Sequence, residues 1–370
     1  MNATSSYLNN TTDVPRNYTS FDNFANLRQS LNTMSLVVYC LAFVLGVLGN
    51  GLVIWVTGFK MKKTVNTIWF LNLAVADFLF TAFLPLSITY QALDFHWPFG
   101  RFMCKINSAV AFLNMFASVW ILVVISVDRC LSVVWPIWVH NHRNTRKASW
   151  GSLCVWVLAV ILSSPYFIFR DIISTTSSTH HNKDIIICFI NFALSDDFET
   201  PSVNQLRVFR HKAMTIFRFV LGFVIPFSII VSCYAVIIHR LRRNYTLASQ
   251  SSRTFKIIAA IIITFFLCWA PFHIMFLIEL VVFTVVNPSE TLNYVIAIGI
   301  PLATSLAFLS SCLNPILYVF VGQDFKDKVR KSILTVLETV FHEDETQSHT
   351  HTKSADNSHS NEKPELNSAV

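Results

Sequence analysis

The sequence predicts an all-α membrane protein: a seven-transmembrane helix bundle with a short amphipathic eighth helix and a β-hairpin in the second extracellular loop. Three observations predict it. Hydrophobic residues make up 53% of the 370 and charged residues only 13%, with 33 phenylalanines, where an ordinary globular chain carries about a quarter charged residues. Mean hydropathy is +0.51, so too few charges remain to coat a surface facing water, and disorder and coiled coil are excluded as well. Seven apolar runs each reach the roughly 20 residues that a helix needs to cross a bilayer: Met34–Phe59, Asn66–Tyr90, Met103–Val134, Ala148–Phe169, Met214–His239, Ile257–Val286 and Leu292–Phe320. Finally, the basic residues behind the net charge of +7 gather between these runs rather than in one patch. That pattern sets membrane orientation and gives no reason to expect a nucleic-acid partner.

The first 33 residues read as an extracellular tail. They are polar and carry glycosylation sequons at Asn2, Asn9, Asn10 and Asn17, acceptors only on the lumenal side of a membrane. They have neither the basic region nor the apolar core of a cleaved leader, so the first span is expected to insert as its own anchor. With this end outside, sixteen Lys/Arg flank the inner ends of the spans and nine the outer ends. A further sequon at Asn244 then faces the cytoplasm and stays bare. Residues 34–320 form the bundle, 321–338 the amphipathic helix and 339–370 a disordered cytoplasmic tail. In the helix, Phe325, Val329, Ile333 and Leu337 recur at helical spacing among Lys326, Lys328, Arg330 and Lys331, as in a helix lying on a membrane surface.

Within the spans, Pro85, Pro165, Pro226, Pro271, Pro301 and Pro315 are kinks that bundled membrane helices tolerate. Gly46, Gly49 and Gly51 suit close helix contact. Six of the eight cysteines (Cys40, Cys130, Cys154, Cys233, Cys268 and Cys312) fall in or at the ends of apolar runs and behave as small hydrophobes. Cys104 and Cys188 both face the oxidising side, and a bridge between them would tie a loop of about 40 residues to the bundle. In that loop Ile185–Ile190 is strongly strand-forming. Nothing has the spacing of a metal or catalytic site, so no enzyme and no cofactor is expected.

Short motifs now coincide in chain order. They are Gly49-Asn50, Leu73-Ala74-Val75-Ala76-Asp77, Asp128-Arg129-Cys130, Trp156, Pro226 with Tyr234, Phe265-x-x-Cys268-Trp269-Ala270-Pro271 and Asn314-Pro315-x-x-Tyr318. From Ser35 to Leu337 the chain resembles the class A, rhodopsin-like G-protein-coupled receptors. Lys60–Asn66, Phe70–Phe78, His96-Trp97-x-Phe99-Gly100, Asn141-His142-Arg143 and Ile316–Phe325 narrow the likeness to chemoattractant receptors. It is most similar to the chemerin receptors, then to the formyl-peptide receptors. Phe169-Arg170-Asp171, Cys188–Phe192, Glu279 and Pro301–Thr304 lean towards the former. The aspartate and paired arginines of a formyl-peptide site are replaced here by Phe112, Met214 and Arg218.

Asp77 is a carboxylate deep in a span, a costly placement that marks a functional candidate. The resemblance implies that Asn114, Ser118, Ser311 and Asn314 surround it and hold an allosteric sodium ion. It also implies that Arg129 is released from Asp128 to meet a heterotrimeric G protein of the inhibitory class, with Tyr234 and Tyr318 steadying the open form. Pro271 and Pro315 would hinge that motion, and Cys130 replaces the usual tyrosine. Span three lacks the aspartate that amine receptors use, so Lys105, Arg170, Asn191, Arg218, Glu279 and Trp269 are expected to receive a peptide or protein chemoattractant. Arg218 needs an anionic partner where it sits. The last 28 residues hold eight Ser/Thr, among them Thr346, Ser348, Thr350, Thr352 and Ser354, which the resemblance makes substrates for receptor kinases and a docking site for arrestin. The expected location is the plasma membrane, in contact with lipid throughout. A transporter would show an inverted repeat or polar pore, and a non-signalling scavenger would lose the Asp128-Arg129 and Asn314–Tyr318 motifs. The chain shows neither departure.

Overall fold

The computed structural model describes residues 18–177, 183–195, 200–243, 245–285 and 289–321. Nine helices and one hairpin are found among them: α1 (Tyr18–Trp55), α2 (Val65–Ala92), α3 (Gly100–Val134), α4 (Pro136–His142), α5 (Thr145–Ile168), β1 (Arg170–Ser177), β2 (Lys183–Ile190), α6 (Pro201–Phe219), α7 (Ile225–Arg243), α8 (Tyr245–Thr284) and α9 (Glu290–Val321). A π-helical turn at Val220–Val224 joins α6 and α7 into one rod, and another at Val56–Lys60 finishes α1. Seven of the resulting rods are long and apolar enough to cross a membrane. Their outward faces carry Leu48, Val157, Ile161, Ile263 and Leu267, as lipid contact requires.

Local chemistry sets the helix ends. Thr64 and Thr67 cap α2 reciprocally: the Thr67 N–H donates to Thr64 Oγ1 at 3.2 Å and the Thr64 N–H to Thr67 Oγ1 at 2.8 Å. Asn144 Oδ1 accepts from the Lys147 N–H at 2.8 Å and starts α5. Pro136 and Pro201 occupy first turns, where a missing N–H costs nothing. The interior prolines of α2, α5, α8 and α9 leave those helices continuous.

Span three runs through the centre and is the most deeply buried, while span one packs on spans two and seven. Asn50 fixes that last contact, donating from Nδ2 to the carbonyls of Gly46 and Ser311, both at 2.9 Å. A Cβ on Gly49 would lie 2.9 Å from Pro315 Cβ, so only glycine allows this approach. Trp156 Nε1 donates to Asn72 Oδ1 at 2.9 Å and ties span four to span two.

Two boundaries differ from expectation. Span one begins at Tyr18 rather than Met34, and span five at Pro201 rather than Met214. Both extensions are polar, so hydropathy passes over them, yet the helical hydrogen bonding continues through them. The loop between spans four and five is correspondingly shorter, and Arg207, Arg210 and Lys212 ride on α6 rather than in a loop. The short α4 has no apolar run to announce it. The hairpin stands where expected, antiparallel, with Ile172 opposite Cys188 and Arg170 opposite Ile190. The amphipathic segment 321–338 beyond Val321, the tail 339–370, Asn244 and the sequons at Asn2, Asn9, Asn10 and Asn17 lie outside the described residues.

Candidate functional site

The hairpin is fastened over the outer mouth from two sides. Cys104 and Cys188 form a disulfide, their Cα atoms 5.8 Å apart, joining span three to β2. From the first outer loop, the Trp97 N–H donates to the Ile186 carbonyl at 2.7 Å, and His96 Nδ1 accepts from the Ile186 N–H at 3.2 Å. The buried Trp97 in turn donates to the Gly100 carbonyl at 2.8 Å. Gly100 has φ +76°, a conformation a side chain would strain. His96-Trp97-x-Phe99-Gly100 is therefore a clasp for the hairpin edge.

The charged residues of the rim divide. Arg101 pairs with Asp171 at 2.7 Å. Lys105 Nζ lies over the Phe167 ring and donates to the Ile168 carbonyl at 3.3 Å, which holds it to the outer edge. Asn191 is buried with its amide turned to its own loop: Oδ1 accepts from the N–H groups of Ala193 and Leu194, both at 3.1 Å. It shapes the exit from β2. Arg170 keeps two N–H groups without a hydrogen-bond partner among the described residues. Burial pulls its guanidinium down to about 10, which leaves it charged at neutral pH.

Arg218 lies deepest. It is 5% exposed and sits in an aromatic cage, its guanidinium carbon 4.4 Å from the Phe276 ring centre, 5.3 Å from Phe272 and 5.7 Å from Phe112. It lies beside Tyr166, whose ring stacks on Phe112 with centroids 3.4 Å apart. Among the described residues it belongs to no ion pair, and its Nε–H finds no acceptor. A cage of π-faces steadies a cation without neutralising it. Glu279 lies one turn beyond Phe276 on the same helix, outside every described ion pair.

Beneath the cage, Trp269 is buried and donates from Nε1 to Ser310 Oγ at 3.1 Å. His273 is also buried, ringed by Phe219, Phe223, Trp269 and Phe272, with neither ring nitrogen hydrogen-bonded among the described residues. The π-helical turn of span five brings Gly222 against His273, Met115 and Phe116.

Lower still, Asp77 is 2% exposed. Asn314 Nδ2 donates to its Oδ2 at 2.7 Å, and Ser311 and Asn114 lie beside its carboxylate. Asn114 Nδ2 donates to Ser311 Oγ at 2.8 Å, and Ser118 Oγ to Asn114 Oδ1 at 3.2 Å. All five residues named from the sequence therefore meet. They offer one carboxylate plus neutral hydroxyl and amide oxygens, a hard-donor set that fits a small cation such as sodium.

At the inner end the expected Asp128–Arg129 ion pair is present but long, and shares its carboxylate. Arg129 Nη2 stands 3.6 Å from Asp128 Oδ2, beyond hydrogen-bond reach. Arg143, from the link between α4 and α5, takes the carboxylate two-pronged instead: Nε to Oδ1 at 2.8 Å and Nη2 to Oδ2 at 2.9 Å. Arg129 Nη2 donates to Asn66 Oδ1, which also accepts from Arg143 Nη2 at 2.7 Å. The Tyr234 hydroxyl is buried beside Arg129 without a partner among the described residues. Pro271 and Pro315 lie within α8 and α9. The Tyr318 side chain and Thr346, Ser348, Thr350, Thr352 and Ser354 fall outside what is described. Past the end of span three, Trp135, Ile137 and Trp138 are large and exposed, Ile137 by 80%.

Sequence reasoning missed Tyr166, His273, Asn66, the two-pronged role of Arg143 and the exposed Ile137. For His273 a signal existed, since an ionisable residue inside a span is a candidate by default. For the others none did, because a tyrosine, an asparagine or a loop arginine acquires a role only from what it touches.

Comparison with known proteins bears on both ends of this bundle. The family described as "7 transmembrane receptor (rhodopsin family)" matches residues 49–318. Chemerin-like receptor 1 of Rattus norvegicus is 49% identical over 313 residues, covering 83% of this chain and 80% of the relative. The C3a anaphylatoxin chemotactic receptor of Danio rerio is 43% identical over 318 residues, 86% of this chain and 80% of that receptor. Chemerin-like receptor 2 of Homo sapiens is 42% identical over 304 residues, 82% of this chain and 80% of its own length.

Proposed function

Because the chain belongs to the rhodopsin family of seven-transmembrane receptors, we propose that it binds the anionic end of a chemerin-like peptide or protein outside and signals through a heterotrimeric G protein of the inhibitory class. Its kin are chemoattractant receptors of the plasma membrane, crossed several times by each chain, and not enzymes. In this reading residues 1–33 face outward and are glycosylated, and the inner loops and 339–370 face the cytoplasm. The tail is phosphorylated by receptor kinases and read by arrestin.

One observation carries the ligand assignment: a buried guanidinium, Arg218, caged by three aromatic rings and in no ion pair among the described residues. A C-terminal carboxylate entering under the hairpin supplies the missing counter-charge in a two-pronged hydrogen bond. Arg170 and Glu279 select the preceding residues. Contact with this cage loads Trp269 and the kinked span six. A ligand shifts the receptor only as far as it prefers the open state.

The inner surface fits the second half of the proposal. Exposed Trp135, Ile137 and Trp138 between spans three and four and the Arg129 guanidinium at the end of span three offer a protein partner oily contacts and a cation. The test is suppression of cAMP in cells carrying this receptor, comparing the chemerin C-terminal peptide, the same peptide amidated, and formyl peptides. We expect a response to the free acid that weakens on amidation. A response to formyl peptides alone overturns the ligand assignment, and binding without any effect on cAMP overturns the signalling assignment.

A further inference from the structure

We infer that Arg143 is a positioning residue for G-protein coupling: it draws the Asp128 carboxylate away from Arg129 and so keeps the Arg129 guanidinium available to the effector. The inference rests on the coupling reading above.

Two guanidiniums compete here for one carboxylate. Arg129 is its sequence neighbour, yet Arg143 makes both short contacts, at 2.8 and 2.9 Å, and leaves Arg129 at 3.6 Å. The geometry of each rival explains the outcome. Arg143 approaches the carboxylate side-on, presenting the fork of two N–H groups that matches two oxygens. Arg129 turns instead to Asn66 Oδ1, an acceptor without net charge that Arg143 also holds at 2.7 Å. All three charged side chains are largely shielded, with 13–27% exposure, so their competition is less screened than at an open surface.

Arg143 is pre-placed for this role by backbone on both sides. Its own N–H donates to the Val139 carbonyl at 2.8 Å and ends α4, while the next residue, Asn144, caps α5. The guanidinium thus leaves from a two-residue link fixed at each end, and little freedom is lost when it clamps Asp128. Without it, the carboxylate is free to close on Arg129, and that pair must then be broken before an effector can engage the arginine.

The experiment uses purified full-length receptor in lipid nanodiscs and reads basal and ligand-stimulated nucleotide exchange on an inhibitory-class heterotrimer. The proteins are wild type, Arg143→Ala, Arg143→Lys, Asp128→Asn and the double variant Asp128→Asn/Arg143→Ala. Arg143→Ala is expected to lower basal exchange about fivefold or more, the lower range for coupled sites. Arg143→Lys restores part of the loss, since an ammonium keeps the charge but lacks the fork. On the Asp128→Asn background, Arg143→Ala changes nothing further, because no carboxylate remains to be held. An equal loss on that background would show that Arg143 serves only the fold, and unchanged or raised exchange in Arg143→Ala would contradict its direction. If Arg143→Ala fails to fold, Arg143→Lys in both backgrounds decides by the same criteria with a smaller expected effect. A wild-type receptor that drives no exchange on any heterotrimer overturns the coupling reading itself, and this inference with it.

Discussion

Single side chains carry the chemistry, and their surroundings decide which ones. Arg218 and Lys105 are both outer-face cations, but Lys105 already donates to a carbonyl at the rim, whereas Arg218 sits caged with an unused Nε–H. Removing one partner of a buried charged pair costs about 2–5 kcal/mol. Arg218→Ala is therefore expected to raise the half-maximal concentration of a free-acid peptide roughly thirtyfold or more. The same change should leave the response to the amidated peptide almost unmoved, since that peptide brings no carboxylate. A dose–response comparison of the two peptides on both receptors checks this, and equal losses for both would remove the anchor. At the buried carboxylate, Asp77→Asn keeps the shape and deletes the charge. Sodium is expected to weaken agonist binding to the wild type and to leave the variant indifferent, as read by competition binding with and without the ion. An equal sodium effect in both would place the cation elsewhere.

Elements position those side chains, and here the fastenings matter more than the helices' own propensities. The outer hairpin has only two strands, which are marginal alone in water. It stands because Cys104–Cys188 and the Trp97–Ile186 hydrogen bond anchor β2 to the bundle. Replacing Cys104 or Cys188 with serine is expected to destabilise the receptor by about 2–4 kcal/mol and to abolish the peptide response at concentrations that saturate the wild type. Thermal midpoints and ligand binding on purified protein check both, and an unaltered response would show that the hairpin needs no bridge. The strand-forming run Ile185–Ile190 and the two outward cysteines made this device legible in the sequence. The extra turns of spans one and five were not legible, because polar residues carry no hydropathy signal even when the backbone keeps its helical ladder. α4 escaped for a related reason: seven residues give too short a stretch for periodicity to register.

At the scale of the whole molecule, the bilayer imposes one arrangement on everything above. In the proposed topology, seven crossings put the two termini on opposite faces, and the excess of basic residues on one side would choose which end is outside. An epitope tag at the amino end is expected to be reached by antibody on intact cells, and a tag at the carboxyl end only after permeabilisation. Tags on one and the same face would break the division between ligand mouth and effector surface. Between those surfaces lie Trp269, bound to Ser310 of span seven, and the Asp77 cluster, which joins spans two, three and seven.

Composition, run length and charge bias were enough to name the bilayer as solvent, count its crossings and point to the bridge, because lipid accepts few alternatives to apolar helices. Residue identity also marked Asp77 and Arg218, since burying a charge there is too costly to be incidental. Which guanidinium holds Asp128 and which rings enclose Arg218 depend on approach angle and on neighbours tens or hundreds of positions away in the chain. Such contacts exist only once the spans have packed, and no local pattern of residues encodes them.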